Sequence, residues 1–254
     1  MEDTNFFQQI EQVKWAWQNK TLAFPVFYPD VTTLSCQFLA PLEQIQRILP
    51  SRRMHPLRIT PWHCVVNISA FEYRRSDIGP YNELSVGVPI VLDHPSPLFV
   101  GTLSPVPPVP QVYVHQLPVT TEIARDAGID LYGFPKFLAD ITFERDGKFI
   151  RCHLKQDGQF ILTLTGREGL LKNAPRSRIH PLTLMNNYIL RCETIVSERQ
   201  QVTGRGAAGV HLELGEHPMA QELAAWNLGP VLSYQYAPQH QVILTLALES
   251  FSAT

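Results

Sequence analysis

The chain has 254 residues, 44% of them apolar and only 17% charged, with a formal net charge of −2. That length can bury a large core, and the sparse charge predicts that part of the surface is covered by subunit contacts in a homo-oligomer. Nucleic-acid binding is excluded on charge, because the basic residues occur only in short groups such as SRRMHPLR and YRRSD.

No stretch approaches the ~18 apolar residues needed to span a bilayer. The acidic N-terminus lacks the order of a signal peptide. Cys36, Cys64, Cys152 and Cys192 form no C-x-x-C pair, so the expectation is a cytoplasmic protein with reduced thiols and no membrane partner.

In chain order, Asp3-Thr4 followed by Phe6, Ile10, Val13 and Trp17 at helical spacing predicts an amphipathic helix over residues 1–20. A short helix follows from Pro41 to Leu49, opened by one proline and stopped by Pro50. The stretches TTLSCQFLA, WHCVVNISAF, ELSVGVPIVL and QVYVHQLPV alternate and are rich in β-branched and aromatic residues, which predicts strands. The Pro-rich SPLFVGTLSPVPPVPQ between the last two reads as a loop.

Asp146-Gly147 and Asp157-Gly158 separate three alternating segments, the chemistry of tight hairpins, and so predict an antiparallel meander. Further strands are expected at LMNNYILRCETIV, VHLEL, VLSYQYA and QVILTLALE, and a helix at PMAQELAAWNLG ended by Gly229. Strands and helices do not alternate regularly, which excludes a parallel doubly wound sheet. The fold class expected is α+β, predominantly antiparallel β, closed into a barrel within a single domain spanning 1–254.

Three constellations are candidates for chemistry. GRGAAG, Gly204 to Gly209, has the spelling of a dinucleotide fingerprint, but the alternating VHLEL after it supplies no helix N-terminus, so it reads as a glycine loop. His211, Glu213 and His217 could approach a metal, yet ordinary hydrogen-bonded histidines fit the spacing better.

The third is YGFPKFLAD, Tyr132 to Asp140. If it is extended, Phe134, Lys136 and Leu138 share one face and Pro135 and Phe137 the other, so Lys136 has apolar neighbours. An exposed lysine titrates near ~10.4, and making it half neutral at pH 7 requires about 4–5 kcal/mol. Desolvation can supply a shift of ~3–5 pH units, so apolar burial alone is sufficient. A neutral amine can form a Schiff base with a ketone. The alternative is a lysine whose stem lies on apolar surface and whose ammonium reaches water. Glu83 and Glu122 are likewise either general acids and bases in a cleft or surface carboxylates.

The sequence resembles the acetoacetate decarboxylase family in GPYNE (Gly79 to Glu83), TTEIARDAGIDLYGFPKFLAD (Thr120 to Asp140) and, more weakly, VHLELGEHPMAQEL (Val210 to Leu223), in the family's order over roughly residues 30–230. The resemblance implies a cone-like closed β-barrel with a few short peripheral helices, a homo-oligomer, a small keto-acid substrate, and no metal or organic cofactor. It implies a cofactor-independent lyase in which Lys136 is the Schiff-base lysine, with Glu83 and Glu122 as pocket carboxylates and Phe134, Leu138, Asn67 and Tyr132 lining the pocket. A lysine of acetoacetate decarboxylase activated by its surroundings is itself a standard example of this chemistry.

The departures are equally specific. Phe137 stands where the family has a second lysine, Ile129-Asp130 where it has an arginine-glutamate pair, and Asn67 where it has a further glutamate. The family's upstream arginine falls near Asp30 or Val31. Without that cation, acetoacetate itself is a poor expectation as substrate, and an aldolase, a dehydratase or a binding barrel are the alternatives.

Overall fold

The computed structural model describes residues 5–8, 10–95, 109–206 and 209–254. The chain enters through a hairpin of β1 (Val13–Trp17) and β2 (Lys20–Phe24), then the long β3 (Val26–Pro41), helix α1 (Leu42–Ile48) and the short β4 (Met54–Pro56). It continues through β5 (His63–Arg75), β6 (Tyr81–Leu92), β7 (Gln111–Gln116) and helix α2 (Glu122–Tyr132). The meander β8 (Asp140–Asp146), β9 (Phe149–Gln156) and β10 (Gln159–Arg167) precedes β11 (Lys172–Ala174), β12 (Ser177–Met185), β13 (Tyr188–Arg191), β14 (Thr194–Val196), β15 (Arg199–Gly204) and β16 (His211–Leu214). Helix α3 (Pro218–Ala225), β17 (Val231–Leu244) and β18 (Glu249–Ser252) complete it.

Seven strands close into a barrel in the order β17-β3-β5-β6-β7-β12-β14, with β14 pairing both β12 and β17. Every neighbouring pair in the ring is antiparallel except β7 with β12. The predominantly antiparallel α+β expectation therefore holds, with one parallel step.

Alternation along β3, β5 and β6 explains how the barrel is both packed and hollow. Leu34, Cys36, Ile68, Ala70, Leu84 and Val86 point outward and are fully buried against Ile150, Leu154, Ile161 and Leu164 of a second sheet, β16-β10-β9-β8. The alternate residues Thr33, Ser35, Ser69, Phe71, Glu83 and Ser85 point inward and line a cavity. The wall is thus buried on both faces, and its outer face supplies the larger apolar core.

Four expectations need correction. The helix placed over residues 1–20 is absent from the described part of that span. Asn5–Gln8 form a turn, and Val13–Trp17 pair with Lys20–Phe24 as a hairpin. Val13, Trp15 and Trp17 also alternate, and the diagonal cross-strand neighbour Phe24 brings its ring to 5.9 Å from Trp15, a contact that helical spacing could not foresee.

VLSYQYA and the first part of QVILTLALE are one strand, β17, with register shifts around Pro238. The bulge accommodates the proline, whose carbonyl accepts from the Thr32 hydroxyl at 2.9 Å. The helix of PMAQELAAWNLG starts as expected but ends at Ala225, before Gly229. Helix α2 was not anticipated. Of the Pro-rich segment, residues 96–108 lie outside the described residues. Among the described residues no helix is long and apolar enough to cross a membrane.

Candidate active site

Helix α2 presents Ala124, Ala127 and Gly128 to the barrel, the i, i+3, i+4 set of one face. It stops at Gly133, whose φ of 63° is left-handed. The chain then turns back, with the Thr183 hydroxyl donating to the Tyr132 carbonyl at 2.6 Å. After a tight turn at Pro135, in which Lys136 N donates to Phe134 O at 2.8 Å, the chain runs beside residues 117–119. Leu117 N donates to Pro135 O at 3.2 Å, and Val119 N to Phe137 O at 2.9 Å. Phe134 and Lys136 enter the cavity, and Phe137 packs against the outer core. Phe137 therefore faces away from Lys136.

Lys136 is not an isolated amine. Its Nζ lies 2.7 Å from Glu83 Oε2, and the two side chains are 6% and 8% exposed. Dryness is present as expected, but a carboxylate accompanies it, which corrects the picture of apolar burial acting alone. The Tyr73 hydroxyl donates to Glu83 Oε1 at 3.2 Å, and Nζ stands 5.6 Å from the ring centroids of both Tyr81 and Phe134. Burial, reinforced by the Glu83 charge, pushes the phenols of Tyr28, Tyr73 and Tyr81 up, so they remain protonated donors.

Gly128 makes room for the lysine stem. A Cβ there would stand 2.5 Å from Lys136 Cδ and 2.6 Å from Cε. This is the packing reason for glycine in RDAGID, inside a helix that glycine otherwise weakens.

The cavity holds about 240 Å³ and is lined in rows set by strand register. Thr33, Phe71 and Glu83 are successive partners across β3, β5 and β6. Ser35, Ser69 and Ser85 form the next inward-facing row. Asn67 comes after them. It lines the cavity and is tied to the serines: Ser35 Oγ donates to Asn67 Oδ1 at 3.1 Å, and Asn67 Nδ2 to Ser69 Oγ at 2.9 Å. One wall is thus apolar and aromatic, and another is an uncharged hydroxyl-amide network.

The structure brings Lys136, Glu83, Phe134 and Asn67 together around one cavity. It does not bring Glu122 there: α2 turns it to the side opposite Ala127 and Gly128, and it is exposed at the helix's first turn. Leu138 does not line the cavity and instead forms a bridge with Val119. Tyr132 borders a separate recess of about 20 Å³ on the other side of the lysine stem. Ile129 and Asp130 are exposed on α2. Asp30, expected from the resemblance to lie near a family arginine, is paired with Arg74 and does not line the cavity. Its carboxyl is held below the usual range by that guanidinium.

Sequence reasoning missed Arg199 and His240, which also line the cavity. Arg199 sits in the polar stretch SERQQV, where nothing marks one residue for the interior. His240 follows the proline bulge, which breaks the alternation. Burial, with Arg199 and Arg74 nearby, pushes the His240 imidazole down to about 3. Among the described residues no group of three or more His, Cys, Asp or Glu is placed to hold a metal ion. GRGAAG connects β15 to β16, so a strand and not a helix follows it. Ala207 and Ala208 lie outside the described residues.

The same architecture occurs in solved structures. An acetoacetate decarboxylase matches with a TM-score of 0.65 at 14% identity, covering 90% of this chain and 89% of that one. The acetoacetate decarboxylase from Legionella pneumophila subsp. pneumophila str. Philadelphia 1 matches with a TM-score of 0.66 at 15% identity, over 98% and 95%. The enduracididine biosynthesis enzyme MppR, complexed with the condensation product of pyruvate and imidazole 4-carboxaldehyde, matches with a TM-score of 0.61 at 11% identity, over 90% and 88%. These likenesses are of fold. No curated protein matches the sequence. The acetoacetate decarboxylase (ADC) family pattern matches residues 15–240, nearly the whole chain, and the protein therefore belongs to that family.

Proposed function

We propose that the protein is a Schiff-base lyase that decarboxylates a β-keto acid through Lys136. The observation that carries this is the buried contact of 2.7 Å between Lys136 Nζ and Glu83 Oε2 inside a closed barrel cavity. Moving one proton from Nζ to Oε2 converts an ion pair into a neutral amine and a neutral acid. The site's net charge is unchanged, and a low-dielectric cavity favours the uncharged arrangement.

The free amine adds to the ketone and water leaves, forming an iminium. The iminium draws the electron pair of the adjacent carbon-carboxylate bond as carbon dioxide departs, leaving an enamine. Protonation of the enamine at carbon and hydrolysis of the resulting iminium release the product ketone and restore the amine. Glu83 takes and returns the protons, and Tyr73 orients it.

A second reading keeps the imine but ends in aldol-type condensation or dehydration. It is supported by the likeness in fold to MppR, whose bound molecule is a condensation product of pyruvate and an aldehyde. Borohydride reduction in the presence of acetone or acetoacetate, followed by peptide mass spectrometry, tests both. A stable adduct on Lys136 is expected, and carbon dioxide release separates decarboxylation from condensation. Absence of any adduct with a panel of keto acids would rule out both.

A further inference from the structure

Arg199 enters the cavity from the start of β15. Its Nη1 donates to Pro175 O at 3.2 Å, to Ser177 Oγ at 3.3 Å and to Ser197 O at 3.3 Å, which fixes the guanidinium plane. Its Nε is buried with no hydrogen-bond partner among the described residues, and it forms no ion pair there with any Asp or Glu. The contrast with neighbouring cations is sharp: Lys136 has Glu83, and Arg74 has Asp30 and Glu72.

His240 lies in the same cavity lining. Its Nε2 is 3.2 Å from Thr33 Oγ1, and its Nδ1 is buried without a partner. A neutral His240 that accepts from Thr33 carries its proton on Nδ1 and can donate it. Since the Lys136–Glu83 pair sums to zero, Arg199 gives the cavity a net positive charge, and a half-buried guanidinium with an unpartnered Nε favours an anion that meets it.

The register fixes the separation. Lys136 meets Glu83 and His240 meets Thr33, and Glu83 and Thr33 stand in one row with Phe71 between them, two strand spacings or roughly 10 Å apart along the wall. A β-keto carboxylate is bonded to the carbon next to the ketone, so it cannot reach Arg199 while the ketone sits at Lys136.

We infer that Arg199 and His240 bind a distal carboxylate, so that the substrate is a keto acid with an anionic group about six to eight bonds from the ketone that meets Lys136. For the placement of the ketone this rests on the imine reading; the anion site itself does not.

The test is calorimetric binding of 7-oxooctanoate, its methyl ester and octan-2-one to the wild-type protein, R199Q, R199K and K136M. The wild type is expected to bind the acid at least about tenfold more tightly than the ester or ketone. R199Q, which can still donate to the Pro175 and Ser197 carbonyls, should reduce this preference to within about threefold while ester binding is kept. K136M should retain the preference. If R199Q does not fold, R199K carries the test: its shorter, single-point cation should weaken the preference, and an unchanged preference overturns the inference. No acid preference in the wild type, or its loss in K136M alone, also overturns it. Failure of borohydride trapping with an intact acid preference would instead remove the imine reading and leave the anion site standing.

Discussion

Replacing Gly128 by alanine isolates the positioning of Lys136 from the folding of the barrel. The new Cβ would lie 2.5 Å from Lys136 Cδ and 2.6 Å from Cε, whereas carbon atoms settle at about 3.5–4.0 Å. The obstructing atoms belong to a flexible stem and not to backbone, so the stem moves by about 1 Å and the helix stays. Alanine in a helix gains about 1 kcal/mol over glycine, and an off-rotamer lysine costs about 0.5–1.5 kcal/mol, so stability is nearly unchanged. A melting-temperature change within about 4 °C is expected. Function responds differently, because displacing a reacting atom by about 1 Å can cost on the order of 100-fold. The rate of borohydride trapping at Lys136 with acetone should fall by about that factor in Gly128→Ala, with the circular dichroism spectrum retained. Trapping within about threefold of wild type, or loss of the native spectrum, would refute the claim that Gly128 serves the lysine.

Three other outcomes follow from the same contacts. Lys136→Met and Glu83→Leu should each destabilise by about 3–5 kcal/mol, because each leaves a buried ionisable group without its partner; the double change should cost at least about 1.5 kcal/mol less than their sum in urea unfolding, and strict additivity would deny the pair. His240 is neutral when folded and titrates near 6.5 when unfolded. Its contribution is full above about pH 6.5 and declines as pH falls toward 3, a loss of about 3 kcal/mol at pH 4. His240→Gln should flatten that part of the stability profile, and an unaltered slope would show that another group is responsible. The four free thiols are all buried, and burial pushes those of Cys36, Cys64 and Cys192 up to about 12. A disulfide exchange reagent at pH 8 should therefore react with the protein only after denaturant is added, and rapid labelling of the native chain would contradict this.

Local chemistry made the meander and four strands of the barrel legible from the residues alone. Asp-Gly pairs placed the meander because left-handed φ values at Asp157, Gly147 and Gly158 are what tight hairpins require. Period-two alternation located β3, β5, β6 and β7, and the YGFPK run singled out Lys136 together with the side of the chain it faces. Where two periodicities overlapped, as in Phe6–Trp17, the sequence was ambiguous, and pairing with Lys20–Phe24 decided for strand.

What the sequence could not settle depended on groups far apart in the chain. Glu83 and Glu122 read alike as carboxylates near family motifs, but register puts one beside the amine while the helix's rotation puts the other in solvent. Arg199 is one of several polar residues in SERQQV, and only closure of the barrel through β14, which carries the chain into β15, turns it into a cation lining the cavity that holds Lys136. Local periodicity determines which side chains share a face. Which faces enclose the same space is decided by long-range strand pairing, because only the closed ring brings side chains from β6, β15 and β17 to one cavity.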